Sequence, residues 1–227
     1  MVFDINRISL FLLYNCGMEE ITAIYCDFDG TITKKDAVNT FFEMYADPQW
    51  LKYEDMWVAG KITSMENAIK QVALLPEISQ KQLDDYINSI EVDDYFPEFI
   101  EYIKSKNIKF TILSDGFDLF INKTLERMGI TDIPVYANKL IYKNNKFSIE
   151  FPYHDDNCDI GAGMCKCHRI TEPKYCYIGD GTSDLCVAKK ADFLFATKSL
   201  YKFCKANLIK NSHFESFRTI IDILKSM

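Results

Sequence analysis

Short, wholly apolar runs alternate along this chain with segments whose apolar residues recur every three or four positions. Ile21 to Cys26, Phe110 to Leu113, Tyr175 to Gly179 and Asp192 to Ala196 have the length and composition of strands buried on both faces. Helical spacing predicts a helix over Ala37 to Tyr45, with Val38, Phe41, Phe42 and Tyr45 on one face. Further helices are expected over Trp50 to Ala59, stopped by Gly60, and over Ser64 to Leu75, closed by Pro76. Ser79 caps another, running to Ile90 with Leu83, Tyr86, Ile87 and Ile90 inward. After about Asp94 the strand–helix alternation resumes. A helix starts at Pro97, and Leu119 to Met128 forms the next, ended by Gly129. Asn138 to Phe151 reads as a hairpin about Asn144-Asn145, and Phe214 to Leu224 as a terminal amphipathic helix. The fold class expected is α/β: a Rossmann-like parallel sheet with a small helical insertion. The boundaries expected are residues 18–33 and 95–227 for the core, and 34–94 for the insertion.

Three of the apolar runs end in polar tips. Asp27-Phe28-Asp29-Gly30-Thr31 follows the first and Ser114-Asp115-Gly116 the second, while Asp180-Gly181-Thr182-Ser183-Asp184 follows the third. In open α/β sheets the carboxyl edge of the strands is where ligands bind. A carboxylate there can attack phosphorus to form an aspartyl-phosphate. A neighbouring acid can protonate the leaving oxygen and later take a proton from water. Facing a phosphate, such anions need a divalent cation to offset their charge. Two aspartates with a phosphate oxygen and waters form an oxygen-rich set that suits Mg²⁺. Ser114 and the backbone amides about Asp115 and Gly116 are placed to hold phosphoryl oxygens.

Composition narrows the partners. A chain of 227 residues with 48% hydrophobic content can build one α/β domain plus a small insertion. The formal net charge of −7 argues against general nucleic-acid binding. No apolar run approaches the roughly 20 residues of a membrane span. Residues 1–17 read as an amino-terminal extension outside the core. The apolar stretch Ile8 to Cys16 is a short, weakly basic and poor match to an export signal. Eight cysteines without such a signal indicate a reducing, cytoplasmic setting. Cys26, Cys176 and Cys186 read as small core residues. Cys158, Cys165 and Cys167, with His168 or His154 nearby, are either a tetrahedral zinc set or a loop of reduced thiols.

The three tips DFDGT, LSDG and GDGTSD, in this order, resemble the haloacid-dehalogenase superfamily of phosphohydrolases, from about Ile21 to the carboxyl terminus. The helical insertion sits where one branch of that superfamily, the phosphoserine-phosphatase-like branch, carries a small C1-type cap. The resemblance implies that Asp27 is the nucleophile and Asp29 the general acid/base. It implies metal ligation by Asp27, the Asp29 backbone carbonyl, Asp180 and Asp184, and phosphate contacts from Ser114, Asp115, Gly116 and Ser183. Thr31 is expected to orient Asp27 or Asp29. The lysine that neutralises nucleophile and phosphate is Lys166, with Lys174 as its rival.

Two positions bear on the substrate. Asp36 stands where the phosphoserine branch has a cap-facing Glu, and Gln71 where it has an Arg for the substrate carboxylate. Losing that guanidinium forfeits roughly 1.5–3 kcal/mol per charge-assisted hydrogen bond. A closer resemblance is to the methionine-salvage phosphatases acting on a methylthio-ketose phosphate, through DFDGTIT, Pro48-Gln49-Trp50 and the Cys-Lys loop. Trp50, Trp57, Met56 and Met65 are either contacts for a thioether or ordinary core of the insertion. The expected partner is a small-molecule phosphate ester, met by a monomer or homodimer. A phosphotransferase of the same family and a catalytically silent binding protein are the rival readings.

Overall fold

The computed structural model describes residues 21–158 and 160–226. The extension expected at residues 1–17 lies outside them. Strand β1 (Ala23–Cys26) is buried at every position. Its side chains alternate: Ile24 and Cys26 join one apolar cluster, Ala23 and Tyr25 another on the opposite face. Helices α1 (Ala37–Tyr45), α2 (Trp50–Val58), α3 (Ser64–Val72) and α4 (Gln80–Ser89) follow without any strand between them. Thr63 and Ser79 close capping boxes with Glu66 and Gln82 at the starts of α3 and α4, so both starts are fixed locally. Then come α5 (Phe96–Ser105), β2 (Lys109–Phe117), α6 (Asp118–Arg127), and the hairpin of β3 (Val135–Lys143) and β4 (Lys146–Glu150). The remainder is β5 (Cys176–Gly179), α7 (Leu185–Ala188), β6 (Phe193–Ala196), α8 (Lys198–Ala206), β7 (Ser212–His213) and α9 (Phe217–Lys225).

The strands form one sheet in the order β4-β3-β2-β1-β5-β6-β7, parallel except for β4. The chain builds outward from β1 through β2 and β3 on one side, then through β5 and β6 on the other. The strand order therefore reverses at β1, and a crevice opens there between the connections. Register fixes what meets in it. Cys26 lies opposite Ile112 of β2 and Ile178 of β5, so Asp27, Ser114 and Asp180 emerge side by side. One face of the sheet is covered by α5, α6 and α9 through Phe99, Ile103, Ile121, Phe217 and Ile221. The other face packs Tyr25, Leu113 and Tyr177 on Met164, Val187 and Leu200.

The helical insertion leaves and re-enters the core through two strands of backbone lying side by side. Thr33 bridges Val92, and Lys34 and Asp93 donate to Glu91 and Ile32, each at 2.9 Å. Its apolar core does not stand alone: Phe41, Phe42, Tyr86 and Ile87 share a cluster with Phe117, Phe120 and Leu140 of the sheet side. Trp50 is part of that core, packed on Phe42 with ring centroids 6.0 Å apart. Among the described residues no helix is long and apolar enough to cross a membrane.

Arg127, the last residue of α6, ties insertion to core by donating to the carbonyls of Ile87 (3.0 Å), Asn88 and Ile90 (2.6 Å) at the carboxyl end of α4. Arg127→Ala is expected to lower unfolding free energy by about 1–3 kcal/mol, because those carbonyls lose a charged donor. Urea denaturation checks this, as a lower midpoint at unchanged slope.

Candidate active site

Asp27 follows β1 directly, its amide still donating to Ile178 O of β5 at 2.9 Å. The next turn depends on Gly30, whose φ is +72°. A Cβ there would stand 2.4 Å from Asp180 Oδ2, so any other residue would push the two acidic tips apart. Gly116 is under the same constraint: a Cβ would lie 2.1 Å from Asp29 Oδ2. Thr33, not Thr31, holds the turn. The Thr33 hydroxyl accepts from Gly30 N at 2.9 Å and donates to Lys35 O at 2.6 Å. The Thr31 hydroxyl is buried with no hydrogen-bond partner, so the expectation that it orients Asp27 or Asp29 is corrected.

The centre of the site is an ammonium group buried between carboxylates. Lys166, only 2% exposed, donates from Nζ to Asp27 Oδ1 at 2.7 Å and Asp184 Oδ1 at 2.6 Å, with Ser183 Oγ at 3.2 Å. Burial works against the lysine's charge, but Asp184 and Asp27 more than offset it and hold its pKa above the usual value. Lys166 opens a single 3₁₀ turn (Lys166–Arg169), all the helix that the short segment before β5 forms. Lys174 is exposed in the loop before β5, so the geometry brings Lys166 rather than its rival to the nucleophile.

The carboxylates differ in their surroundings. Burial pushes Asp27 well above the usual range while Lys166 pulls it back. Asp29 is raised to about 8, chiefly by burial and then by Asp36, against the amide of Ala37. Asp29 Oδ1 accepts from that amide at 3.0 Å and Oδ2 lies 3.3 Å from Ser114 Oγ. Ser114 also accepts from Gly116 N at 2.9 Å, which fixes its hydroxyl at the mouth of the crevice. Asp184 is fully buried and saturated: Lys166 and Tyr177 OH share Oδ1, while the amides of Asp180 and Gly181 each reach Oδ2 at 3.0 Å. Asp180 is raised by burial and by Asp184 and lowered by Lys198, whose Nζ stands 3.2 Å away and also donates to Gly30 O.

Carboxylate oxygens of Asp27, Asp180 and Asp184 all lie within 4.8 Å of one another, an all-oxygen cluster in which Asp27 and Asp180 suit a hard divalent cation while Asp184 is already engaged. It is the one such group among the described residues. The cysteine set does not form another. Cys158, Cys165, Cys167 and His168 line one small cavity with Cys186, but His168 Nδ1 turns to Asp155 Oδ2 at 2.7 Å and stands 3.6 Å from Cys165 Sγ, and their ligand atoms form no metal-sized group among the described residues. Cys26 and Cys176 are core as expected, whereas Cys186 is only half-buried, packed at the edge of the second apolar cluster.

A chamber of about 290 Å³ opens above these groups, lined on the core side by Asp27, Asp29, Ser114, Asp180 and Ser183. Asp115 and Gly116 also line it. The Asp115 carboxylate is engaged elsewhere: Ser64, Asn138 Nδ2 (3.0 Å) and Met164 N (3.0 Å) all donate to it, making it a strut between insertion, hairpin and cysteine loop. On the insertion side lie Asp36, Glu54, Trp57, Asn67 and Gln71. Asp36 caps α1, accepting from Asn39 N at 2.8 Å. Gln71 turns its amide to Glu54. Trp57 faces the chamber; Trp50, Met56 and Met65 are not among its lining. Lys198, Glu54, Asn67 and Tyr177 were not legible as site residues from motifs. The one available signal was the helical spacing of Asn67 and Gln71, four residues apart.

Residues 24–189 match the family model described as haloacid dehalogenase-like hydrolase. The chain belongs to this family. It is 30% identical over 217 residues to the 2-hydroxy-3-keto-5-methylthiopentenyl-1-phosphate phosphatase of Brevibacillus brevis, covering 92% of this chain and 98% of that protein. The protein of the same name from Bacillus cereus is 30% identical over 209 residues, covering 89% and 95%. Among solved structures, a phospho-aspartyl intermediate analogue of phosphoserine phosphatase superposes with a TM-score of 0.66 at 23% identity, over 89% of this chain and 98% of that one. A haloacid dehalogenase family hydrolase from Salmonella enterica gives 0.69 at 16%, over 97% and 80%. These two show the shared fold. With its family and curated relatives, the chain is a phosphoric monoester hydrolase.

Lys166→Met should destabilise the protein by about 3–5 kcal/mol, since it leaves two buried carboxylates without their cation. Urea unfolding measures this. A change under about 1 kcal/mol would mean that Lys166 does not neutralise them.

Proposed function

We propose that the protein is a Mg²⁺-dependent phosphomonoesterase that works through an aspartyl-phosphate on Asp27, acting on a small phosphorylated metabolite. The observation that carries this is the pairing, at one crevice, of two acids with different partners: Asp27 on the Lys166 ammonium, Asp29 on the Ala37 amide and the Ser114 hydroxyl. Asp27 is held against Lys166 through Oδ1, the only oxygen of its carboxylate hydrogen-bonded among the described residues. Asp29, at about 8, keeps its proton at neutral pH. In the first step Asp27 Oδ2 attacks phosphorus, the bond to the alcohol oxygen breaks, and Asp29 gives that oxygen its proton. In the second step the Asp29 carboxylate takes a proton from water as its oxygen attacks phosphorus, and the bond to Asp27 breaks. Ser114, Ser183 and the amides near Gly116 hold phosphoryl oxygens in this reading, and Lys166 neutralises the nucleophile. Mg²⁺, held by Asp27, Asp180 and the Asp29 carbonyl, supplies charge neutralisation for nucleophile and phosphate. Asp184, its lone pairs filled, acts behind them by fixing Lys166 and the Asp180 loop. The helices of residues 34–94 serve as the cap that keeps water from the site. The names of the bacterial relatives make a methylthio-ketose phosphate one ester to assay.

Asp27→Asn should lower turnover of p-nitrophenyl phosphate by about a thousandfold or more, with an unchanged circular dichroism spectrum. Retained turnover would remove the covalent mechanism. Asp29 must be protonated to expel an alkoxide, so activity on an alkyl phosphate should fall as pH rises through about 8. The stable leaving group of p-nitrophenyl phosphate needs no such proton, and its profile should stay flatter there. Parallel profiles for both esters would speak against Asp29 as the acid.

A further inference from the structure

Glu54 on α2 lines the chamber and takes no part in the hydrolytic chemistry. Asn67 and Gln71, one helical turn apart on α3, both donate to its Oε2 at 3.0 Å. These bonds set the Asn67 amide with its nitrogen toward the carboxylate and its oxygen away, because the reverse would face oxygen to oxygen. Asn67 is only 6% exposed, and its Oδ1 is buried without a hydrogen-bond partner although the residue lines the chamber. A buried amide oxygen left unpaired is costly and asks for a donor. Among the described residues Glu54 has no cationic partner, and neither lysine nor arginine lines the chamber. Asp36 lies near enough for Glu54 to disfavour its charge. The insertion side thus offers acceptors and negative potential, with Trp57 and Val58 as apolar wall.

We infer that the alcohol part of the natural substrate carries a protonated amine, bound by Glu54 and Asn67 opposite the phosphate subsite; this rests on the phosphomonoesterase reading. An ammonium has three donors and a charge, so it can meet the Glu54 carboxylate and Asn67 Oδ1 together, whereas a hydroxyl supplies one donor and no charge. A volume near 290 Å³ has room for a phosphate and a short alcohol. A carboxylate on that alcohol would face Glu54 and Asp36 with no cation to hold it, so the amine is expected without an acid beside it.

The test compares phosphoethanolamine with its neutral counterpart, 2-hydroxyethyl phosphate, and follows p-nitrophenyl phosphate in parallel. The unaltered protein should favour the amine in kcat/KM by about tenfold or more, the size of one charge-assisted contact. In Glu54→Gln that ratio should collapse toward one, mainly through KM. Should that variant misfold, the unaltered protein still decides: 2-aminoethylphosphonate should inhibit p-nitrophenyl phosphate hydrolysis at least about tenfold more tightly than propylphosphonate. Hydrolysis of p-nitrophenyl phosphate with no preference in either pair overturns the amine site and leaves the phosphomonoesterase standing. Failure to hydrolyse any of the three esters overturns both.

Discussion

The buried ammonium of Lys166 is the contact on which the rest of the site depends. It sits between a carboxylate at the end of β1 and one in the loop after β5, and donates to both at under 3 Å. In the dry interior that arrangement is held by charge, and removing one partner leaves the others uncompensated. Its effects spread along the hydrogen bonds. Asp184 accepts Lys166 on one oxygen and the amides of Asp180 and Gly181 on the other, so the position of Asp180 follows from that of the lysine. Asp27, Lys166, Asp184 and Asp180 are therefore one unit assembled from three distant stretches of chain.

The helical insertion is coupled to that unit by acids of the core. Asp29 accepts the first amide of α1, and Asp115 accepts the hydroxyl of Ser64 at the start of α3. The residue proposed to carry the proton is thus also a contact between insertion and sheet, so a shift of α1 would reach Asp29 directly. The insertion shares its apolar core with Phe117, Phe120 and Leu140, which anchors the α1 and α4 side on the hairpin and α6. Its other side, carrying Glu54, Trp57, Asn67 and Gln71, faces the chamber. One body thus both packs on the sheet side and lines the chamber.

Much of this was legible from sequence because it rests on local pattern. Apolar runs ending in Asp27, Ser114 and Asp180 predict a parallel sheet with acids at one edge. Helix starts at Asp36, Thr63 and Ser79 are set by side chains that cap them within three residues. The Lys166 geometry was legible only in part, since its rival Lys174 is separated from it by fold, not by spacing. The remainder is tertiary. Lys198 reaches Gly30 and Asp180 across the sheet, Tyr177 reaches Asp184 from inside a strand, and Glu54 is defined by amides on the next helix. Thr31 failed as an orienting group because the turn needs its acceptor at Thr33. The zinc reading of Cys158, Cys165, Cys167 and His168 rested on composition; the fold gathers them about one cavity with Cys186 but turns His168 to Asp155, and they form no metal-sized group among the described residues.

The central claim is that Asp27, held by Lys166, becomes covalently phosphorylated during turnover. Acid quench of the protein while it is hydrolysing a phosphomonoester with Mg²⁺, followed by peptide mass spectrometry, measures this directly. The account predicts one added phosphoryl group on the peptide containing Asp27, lost on alkaline treatment and absent without the metal. Steady turnover with that peptide unmodified at every quench time, or with the group on another residue, would contradict it.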